Sequence, residues 1–160
     1  EGVKARDFYA QLLQKEYGDK YGKDFSDLTT SETIDSIEYF LFPNAFFFPG
    51  LSLPMVYRFR PDPVDPDYCN FDLIFLRPKP ENETPPRPPE PVNLEVEESY
   101  TLVESFVSLG VIYDQDTSNL AAQTRGFKSS LKRGQTLGNY QEVRIRHLQM
   151  KVNEYLSASK

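Results

Sequence analysis

Apolar residues recur at helical spacing in three parts of the chain. Over residues 3–17, Phe8, Leu12, Leu13 and Tyr17 fall on one stripe, and Gly18 and Gly22 follow as stop signals. This predicts a surface helix with one buried face. Over residues 142–156, Ile145, Leu148, Val152, Tyr155 and Leu156 are opposed by Glu142, Arg144, Arg146, Lys151 and Glu154, which predicts a long amphipathic helix. Between them lies YDQDTSNLAAQTRGFKSS, residues 113–130. A helix starting there near Asp116 or Thr117 puts Asp116, Leu120, Gln123 or Thr124, Phe127 and Leu131 on one face, steering Asp116 inward.

The period changes to two between these helices. Residues 21–32 are polar and turn-rich and read as a connector. Ile34, Ile37 and Tyr39 through Phe42, then Phe46, Phe47 and Phe48, make two strand-like runs parted by Pro43-Asn44, a turn or bulge signal. Residues 53–61 (LPMVYRFRP) and 68–77 (YCNFDLIFLR) alternate like half-buried strands. In the second of these, Phe71, Leu73 and Phe75 oppose Asn70, Asp72 and Ile74. The stiff acidic PDPVDPDY between them fits a loop joining antiparallel neighbours. Seven prolines crowd into residues 78–91, which therefore form a surface excursion. Residues 92–107 begin with strand-like alternation, and residues 100–109 have the look of a short helix. The expected fold class is α+β: a helix-grip-like curved antiparallel sheet packed against a long C-terminal helix, forming a single or partial domain over residues 1–160.

Composition narrows the function. The formal charge of −6 argues against nucleic acid as a partner, because phosphate contacts need clustered Lys and Arg. One cysteine, Cys69, excludes an internal disulfide framework and a cluster held by several thiolates of this chain. The aromatic run from Tyr39 to Tyr57 is broken by Pro43, Pro49 and Pro54 and cannot span a membrane. Asn82-Glu83-Thr84 matches a glycosylation triplet, but nothing else points to secretion, and the expected location is cytoplasmic. The sole histidine, His147, borders the apolar stripe of the last helix and reads as a satisfied boundary imidazole. No nucleophile elbow or phosphate loop is present. One His and one Cys cannot build a structural zinc site. What remains is the acidic pair Asp114 and Asp116. Before Thr-Ser-Asn, Asp116 reads either as a helix N-cap or as a functional carboxylate.

Tyr39-Phe40-Leu41-Phe42-Pro43-Asn44 with the Tyr57-Arg58-Phe59-Arg60-Pro61 strand resembles the catalytic-domain sheet of Rieske-type aromatic-ring-hydroxylating oxygenases, large (alpha) subunit. Asp114-Gln115-Asp116-Thr117-Ser118-Asn119-Leu120, then Thr124-Arg125-Gly126-Phe127, looks like that family's segment carrying the acidic iron ligand. The closing helix over residues 142–156 is similar to its terminal helix. The resemblance implies a mononuclear iron(II) held by two His and one Asp, with open positions for dioxygen and substrate. It carries the carboxylate ligand to Asp116, with Asp114 as runner-up, and places Phe46, Phe48 and Phe106 around an apolar pocket for an aromatic substrate. The implied partners are the upstream part of the same subunit, an electron-transfer ferredoxin or reductase, and further copies in a trimer-like homo-oligomer.

The departures from the family pattern also carry information. The helix bearing the two His ligands has no counterpart here, nor does the two-Cys, two-His domain for the [2Fe-2S] cluster. Thr124 stands where the family has Gln before the Arg-Gly pair. The chain is thus expected to be the carboxyl-terminal part of an oxygenase subunit, with a partial iron site and no complete catalytic set. The alternative is a stand-alone helix-grip module binding a small apolar ligand without redox chemistry. The two differ in surface: a partial domain leaves raw apolar surface, and a stand-alone module encloses its pocket. A third reading takes the PPRPP stretch of the Pro-rich loop as a docking segment for a polyproline-reading partner.

Overall fold

The computed structural model describes residues 2–79, 84–106, 108–132 and 134–158. Asn82 and Glu83 of the glycosylation triplet lie outside these residues. Contacts divide the chain within the Pro-rich stretch, into Glu1–Pro86 and Arg87–Lys160.

The first unit opens with helix α1, Ala5–Tyr21. It runs through Gly18, and the stop falls at Gly22, whose φ of 61° is the left-handed conformation a glycine C-cap adopts without strain. The predicted stripe holds in part: Leu13 and Ala10 are buried, whereas Phe8 and Leu12 are exposed. A second helix, α2 at Thr30–Ile34, replaces the expected connector and the start of the first strand. The reason is local. Thr29 accepts from the Glu32 N–H while the Glu32 carboxylate accepts from the Thr29 N–H, a reciprocal capping box. The Thr29 hydroxyl, which donates to the same carboxylate at 2.7 Å, and the Thr29 N–H hold the Glu32 carboxyl below its usual range.

Helices α1 and α2 are joined by a ladder of polar contacts one or two turns apart. Arg6 pairs with Asp35 at 2.5 Å, Thr30 donates to Asp7 at 2.9 Å, and Gln14 Nε2 donates to Thr33 Oγ1 at 3.1 Å and to the Leu28 carbonyl at 2.7 Å. Thr33 has no accessible surface, and its hydroxyl in turn donates to the Thr29 carbonyl.

Four strands follow as an antiparallel meander: β1 Tyr39–Leu41, β2 Ala45–Phe48, β3 Met55–Pro61 and β4 Cys69–Phe75. Pro43-Asn44 turns β1 into β2 as predicted, and the Asn44 side chain donates to the Phe59 carbonyl at 2.7 Å, tying that turn to β3. The PDPVDPDY loop joins β3 to β4, with Asp62 accepting from the amides of Val64 and Asp65.

The register sorts the side chains cleanly. Phe40 faces Phe46, Phe46 faces Tyr57, Phe48 faces Met55, and Phe59 faces Phe71. These residues, with Leu73 and Phe75, make one sheet face almost wholly aromatic or aliphatic. Its rings contact in series: Phe40–Phe46 at 4.8 Å, Phe46–Phe59 at 6.0 Å and the stacked pair Phe59–Phe71 at 4.7 Å. The opposite face carries Arg58 and Arg60, both bonded to Asp72. Arg60 first, and Arg58 with it, pull the Asp72 carboxyl down to about 2.

The β2–β3 connection docks on α2 through Leu51 N–H to Glu32 O and Ser52 N–H to Thr33 O. Gly50 permits this approach, since a Cβ there would lie 2.8 Å from the Asp35 carbonyl oxygen. Phe25, Phe48, Leu51 and Met55 complete the buried set of this unit with Ala10 and Leu13.

The second unit begins irregularly. The strand-like alternation after residue 92 does not form a strand among the described residues. A turn forms at residues 95–98, closed by Glu98, whose carboxylate accepts from the Glu95 N–H at 2.8 Å. Two short 3-10 turns, Tyr100–Leu102 and Glu104–Phe106, take the place of the predicted short helix. Then come α3 Leu109–Thr117, α4 Leu120–Ser129 and α5 Val143–Ala158. The last matches the predicted terminal helix. With the sheet it makes the chain α+β, as its pattern indicates. Neither α4 nor α5 has a buried residue among those described, and Ile145, Tyr155 and Leu156 of the predicted stripe are exposed.

Candidate functional site

The acidic segment is organised by α3 and the 3-10 turn at Tyr100–Leu102, which pack against each other at backbone distance. Gly110 makes this possible. A Cβ at that position would sit 3.0 Å from Thr101 Cα, Thr101 N and the Tyr100 carbonyl carbon, so any side chain would push the two segments apart. One turn further along, Tyr113 is buried, its ring 5.6 Å from Tyr100 and 5.8 Å from Phe106. Asp114 completes the junction. Its carboxylate accepts from Ser99 Oγ at 2.6 Å and from the Tyr100 N–H at 2.9 Å. Gly110, Tyr113, Asp114 and Thr117 thus form the inward stripe of α3 at positions i, i+3, i+4 and i+7.

Asp116 lies off that stripe and is exposed. Two expectations are corrected here. The helix does not begin at Asp116 or Thr117; Asp116 sits in the last turn of a helix that began at Leu109, and α4 is a separate helix starting at Leu120. Asp116 is therefore not an N-cap, and it does not share one continuous face with Leu120 and Phe127. Nor does its side chain point inward: the inward stripe runs through Gly110, Tyr113, Asp114 and Thr117, and Asp116 lies exposed to one side of it. The helix is interrupted at Ser118-Asn119, where short polar side chains bond back to it: Thr117 Oγ1 donates to the Tyr113 carbonyl and Ser118 Oγ to the Gln115 carbonyl. Asp116 has no hydrogen-bond or ion-pair partner among the described residues. On its side of α3, four residues back, Ile112 is also exposed, and Leu120 follows just past the break with 52 % of its surface accessible.

The aromatic candidates fall in both units. Phe46 and Phe48 share the aromatic face of β2, Phe48 buried and Phe46 half-buried. Phe106 belongs to the second unit, where it stacks on Tyr100 at 6.4 Å. His147 is exposed on α5, in place of the boundary position expected for it, and Cys69 is exposed on β4. Among the described residues no three His, Cys, Asp or Glu side chains stand close enough to hold a metal ion. Asp116, exposed and without a partner among the described residues, could give a metal one carboxylate donor. Two open depressions lie along α1, the larger about 360 Å³ and lined by Gln14, Lys15, Asp19, Lys23 and Phe25, and neither contains a candidate site residue. No helix among the described residues is long and apolar enough to cross a membrane.

The chain matches the family of ring-hydroxylating alpha subunits (catalytic domain) over residues 13–158, and it belongs to that family. No curated protein and no solved structure matches it. Members are oxidoreductases of the Rieske oxygenase class, in general dependent on mononuclear iron and working on aromatic substrates within oligomers that receive electrons from partner proteins. The resemblance read from the Pro43-Asn44 and Asp116-to-Gly126 segments thus holds at the level of the family.

Sequence reasoning missed the role of Asp114. Nothing in the spacing of Ser99 and Asp114 signals their contact, which depends on the close approach at Gly110. Sequence reasoning also missed the capping box at residues 29–32, read as part of a connector, although its Thr-x-x-Glu spacing is a signal that could have found it.

Proposed function

We propose that this chain is part of the catalytic domain of a Rieske non-heme iron oxygenase that hydroxylates an aromatic substrate with dioxygen, and that Asp116 supplies the carboxylate ligand to its mononuclear iron(II). The observation that carries this reading is a carboxylate with no protein partner among the described residues, beside exposed apolar neighbours. Asp114, two residues away, has both carboxylate oxygens engaged by Ser99 Oγ and the Tyr100 N–H, which leaves Asp116 as the acid of this segment available to a metal. An exposed Ile112, Leu120, Phe127 and Ile145 give the second unit the apolar surface of a partial domain. That surface favours a partial oxygenase domain over a stand-alone ligand-binding module.

Iron(II), when bound, supplies the oxygen-activating redox chemistry of the family, with electrons that originate in NAD(P)H and reach it from a [2Fe-2S] cluster in an upstream domain through a ferredoxin or reductase. The residues of this chain do the rest. Asp116 contributes one anionic oxygen ligand, and the upstream part of the subunit contributes the two imidazoles. Phe46 and Phe48 on the sheet present apolar rings to the arene, and Phe106 is the substrate-contacting candidate of the second unit. The subunit assembles as a homo-oligomer in the cytoplasm. The isolated chain neither retains iron tightly nor hydroxylates.

The test is Asp116→Ala in the full-length protein. Mononuclear iron should be lost, measured by metal analysis, while the cluster absorption and circular dichroism stay as in the parent. Full iron occupancy in that variant would sink the assignment.

A further inference from the structure

We propose that Asp114 is a positioning residue for the iron site: bracketed by Ser99 Oγ and the Tyr100 N–H, its carboxylate fixes the seat of α3 and with it the place of Asp116 two residues on. This inference rests on Asp116 being the ligand. Both Asp114 oxygens are engaged, Oδ2 with Ser99 Oγ at 2.6 Å and Oδ1 with the Tyr100 N–H at 2.9 Å. Ser99 is itself held, 2.6 Å from Thr101 Oγ1 and accepting from the Thr101 N–H at 3.1 Å. The anchor that meets Asp114 is therefore a closed turn and not a loose side chain.

The first two turns of α3 rest on this anchor through Gly110 and Tyr113. The last turn has no such support. Thr117 and Ser118 bond back within their own helix, and Asn119 makes no side-chain cap for α4. Asp114 is thus the most C-terminal residue of α3 with side-chain bonds to another element among the described residues, and the direction in which Asp116 leaves the helix follows from how Asp114 is held. Partners that orient a metal ligand without touching the metal typically change affinity by about 10–100-fold when removed.

The experiment uses the full-length protein, loaded anaerobically with iron(II). The iron dissociation constant is measured by chelator competition, and the ligand geometry by the electron paramagnetic resonance of the iron(II)–nitric oxide adduct. Ser99→Ala and Asp114→Ala should each weaken iron binding about 10–100-fold and shift the resonance, with circular dichroism unchanged. The double variant should be little worse than Asp114→Ala, which already removes both bonds, and Ser99→Thr, which keeps the hydroxyl, should restore the parent behaviour. Ser99→Ala leaves the Tyr100 bond in place, so it tests the idea even if Asp114→Ala fails to fold. Parent iron affinity and an unshifted resonance in folded Ser99→Ala would overturn the positioning role. Asp116→Ala is run alongside. If it loses iron while Ser99→Ala behaves as the parent, the positioning role alone fails; if it retains iron, the ligand reading fails and the inference with it.

Discussion

Gly110 and Gly126 both sit inside helices, and substituting each by alanine should move stability in opposite directions. Helix propensity treats them alike, since alanine is favoured over glycine by about 0.8–1.0 kcal/mol. The structure does not. At Gly126 in α4 a Cβ meets nothing within 4 Å, so Gly126→Ala should stabilise α4 by about 0.5–1 kcal/mol. At Gly110 the Cβ would be 3.0 Å from three backbone atoms of Tyr100 and Thr101, and none of these can rotate aside as a side chain would. Overpacking of this kind costs about 1–3 kcal/mol, which exceeds the propensity gain. The net effect of Gly110→Ala should be a loss of up to about 2 kcal/mol. Amide hydrogen exchange reads this locally: the amides of Tyr113 to Thr117 should exchange faster in Gly110→Ala, by up to about 30-fold. In Gly126→Ala the α4 amides should exchange more slowly. Slower exchange over α3 in Gly110→Ala would refute the close approach of α3 to the Tyr100 turn, and with it the contact that Asp114 makes.

Three further outcomes follow from the first unit. The Asp72 carboxyl is held at about 2, below the unfolded value of about 3.9, so its contribution to stability is complete above that value and is lost as pH falls through about 2. Because Arg58 and Arg60 are each about half exposed, that contribution should be about 1 kcal/mol, and Asp72→Asn should flatten the urea midpoint between pH 4 and 2; an unchanged slope would assign the acid dependence elsewhere. Thr33→Val keeps the side-chain shape but removes the hydroxyl that donates to Thr29 and accepts from Gln14. It should lower stability by about 1–2 kcal/mol, and a raised urea midpoint would contradict that network. Asn44→Ala should cost about 1 kcal/mol by freeing the Phe59 carbonyl, read as faster exchange of amides at the β1–β2 turn; unchanged protection there would show the side-chain bond to be idle.

The sheet was legible because its information is local. The alternation over residues 55–61 and 69–75 places Phe59, Phe71 and Leu73 on one side and Arg58, Arg60 and Asp72 on the other, as the strand register does. Pro43-Asn44 marked its turn for the same reason, as did the apolar stripe of the terminal helix. Where a pattern was short or supported by no packing, the reading failed. Five residues of α2 are too few to show a period, and the helix there is specified by the Thr29–Glu32 cap. The alternation after residue 92 lacks a neighbouring strand to pair with, and the Glu98 carboxylate closes a turn there.

The sequence by itself determined the family, the sheet and the acid worth examining. It misplaced the helix around that acid because Ser118 and Asn119 keep helical backbone angles, so the apolar spacing runs on through a break it cannot register. Which way Asp116 faces was a tertiary decision. Hydropathy gives glycine no weight, yet the missing side chain of Gly110 lets the Tyr100 turn lie against α3 and makes that side the inner one. Asp114 is drawn into this contact, and Asp116 is left facing out with both carboxylate oxygens free of partners among the described residues.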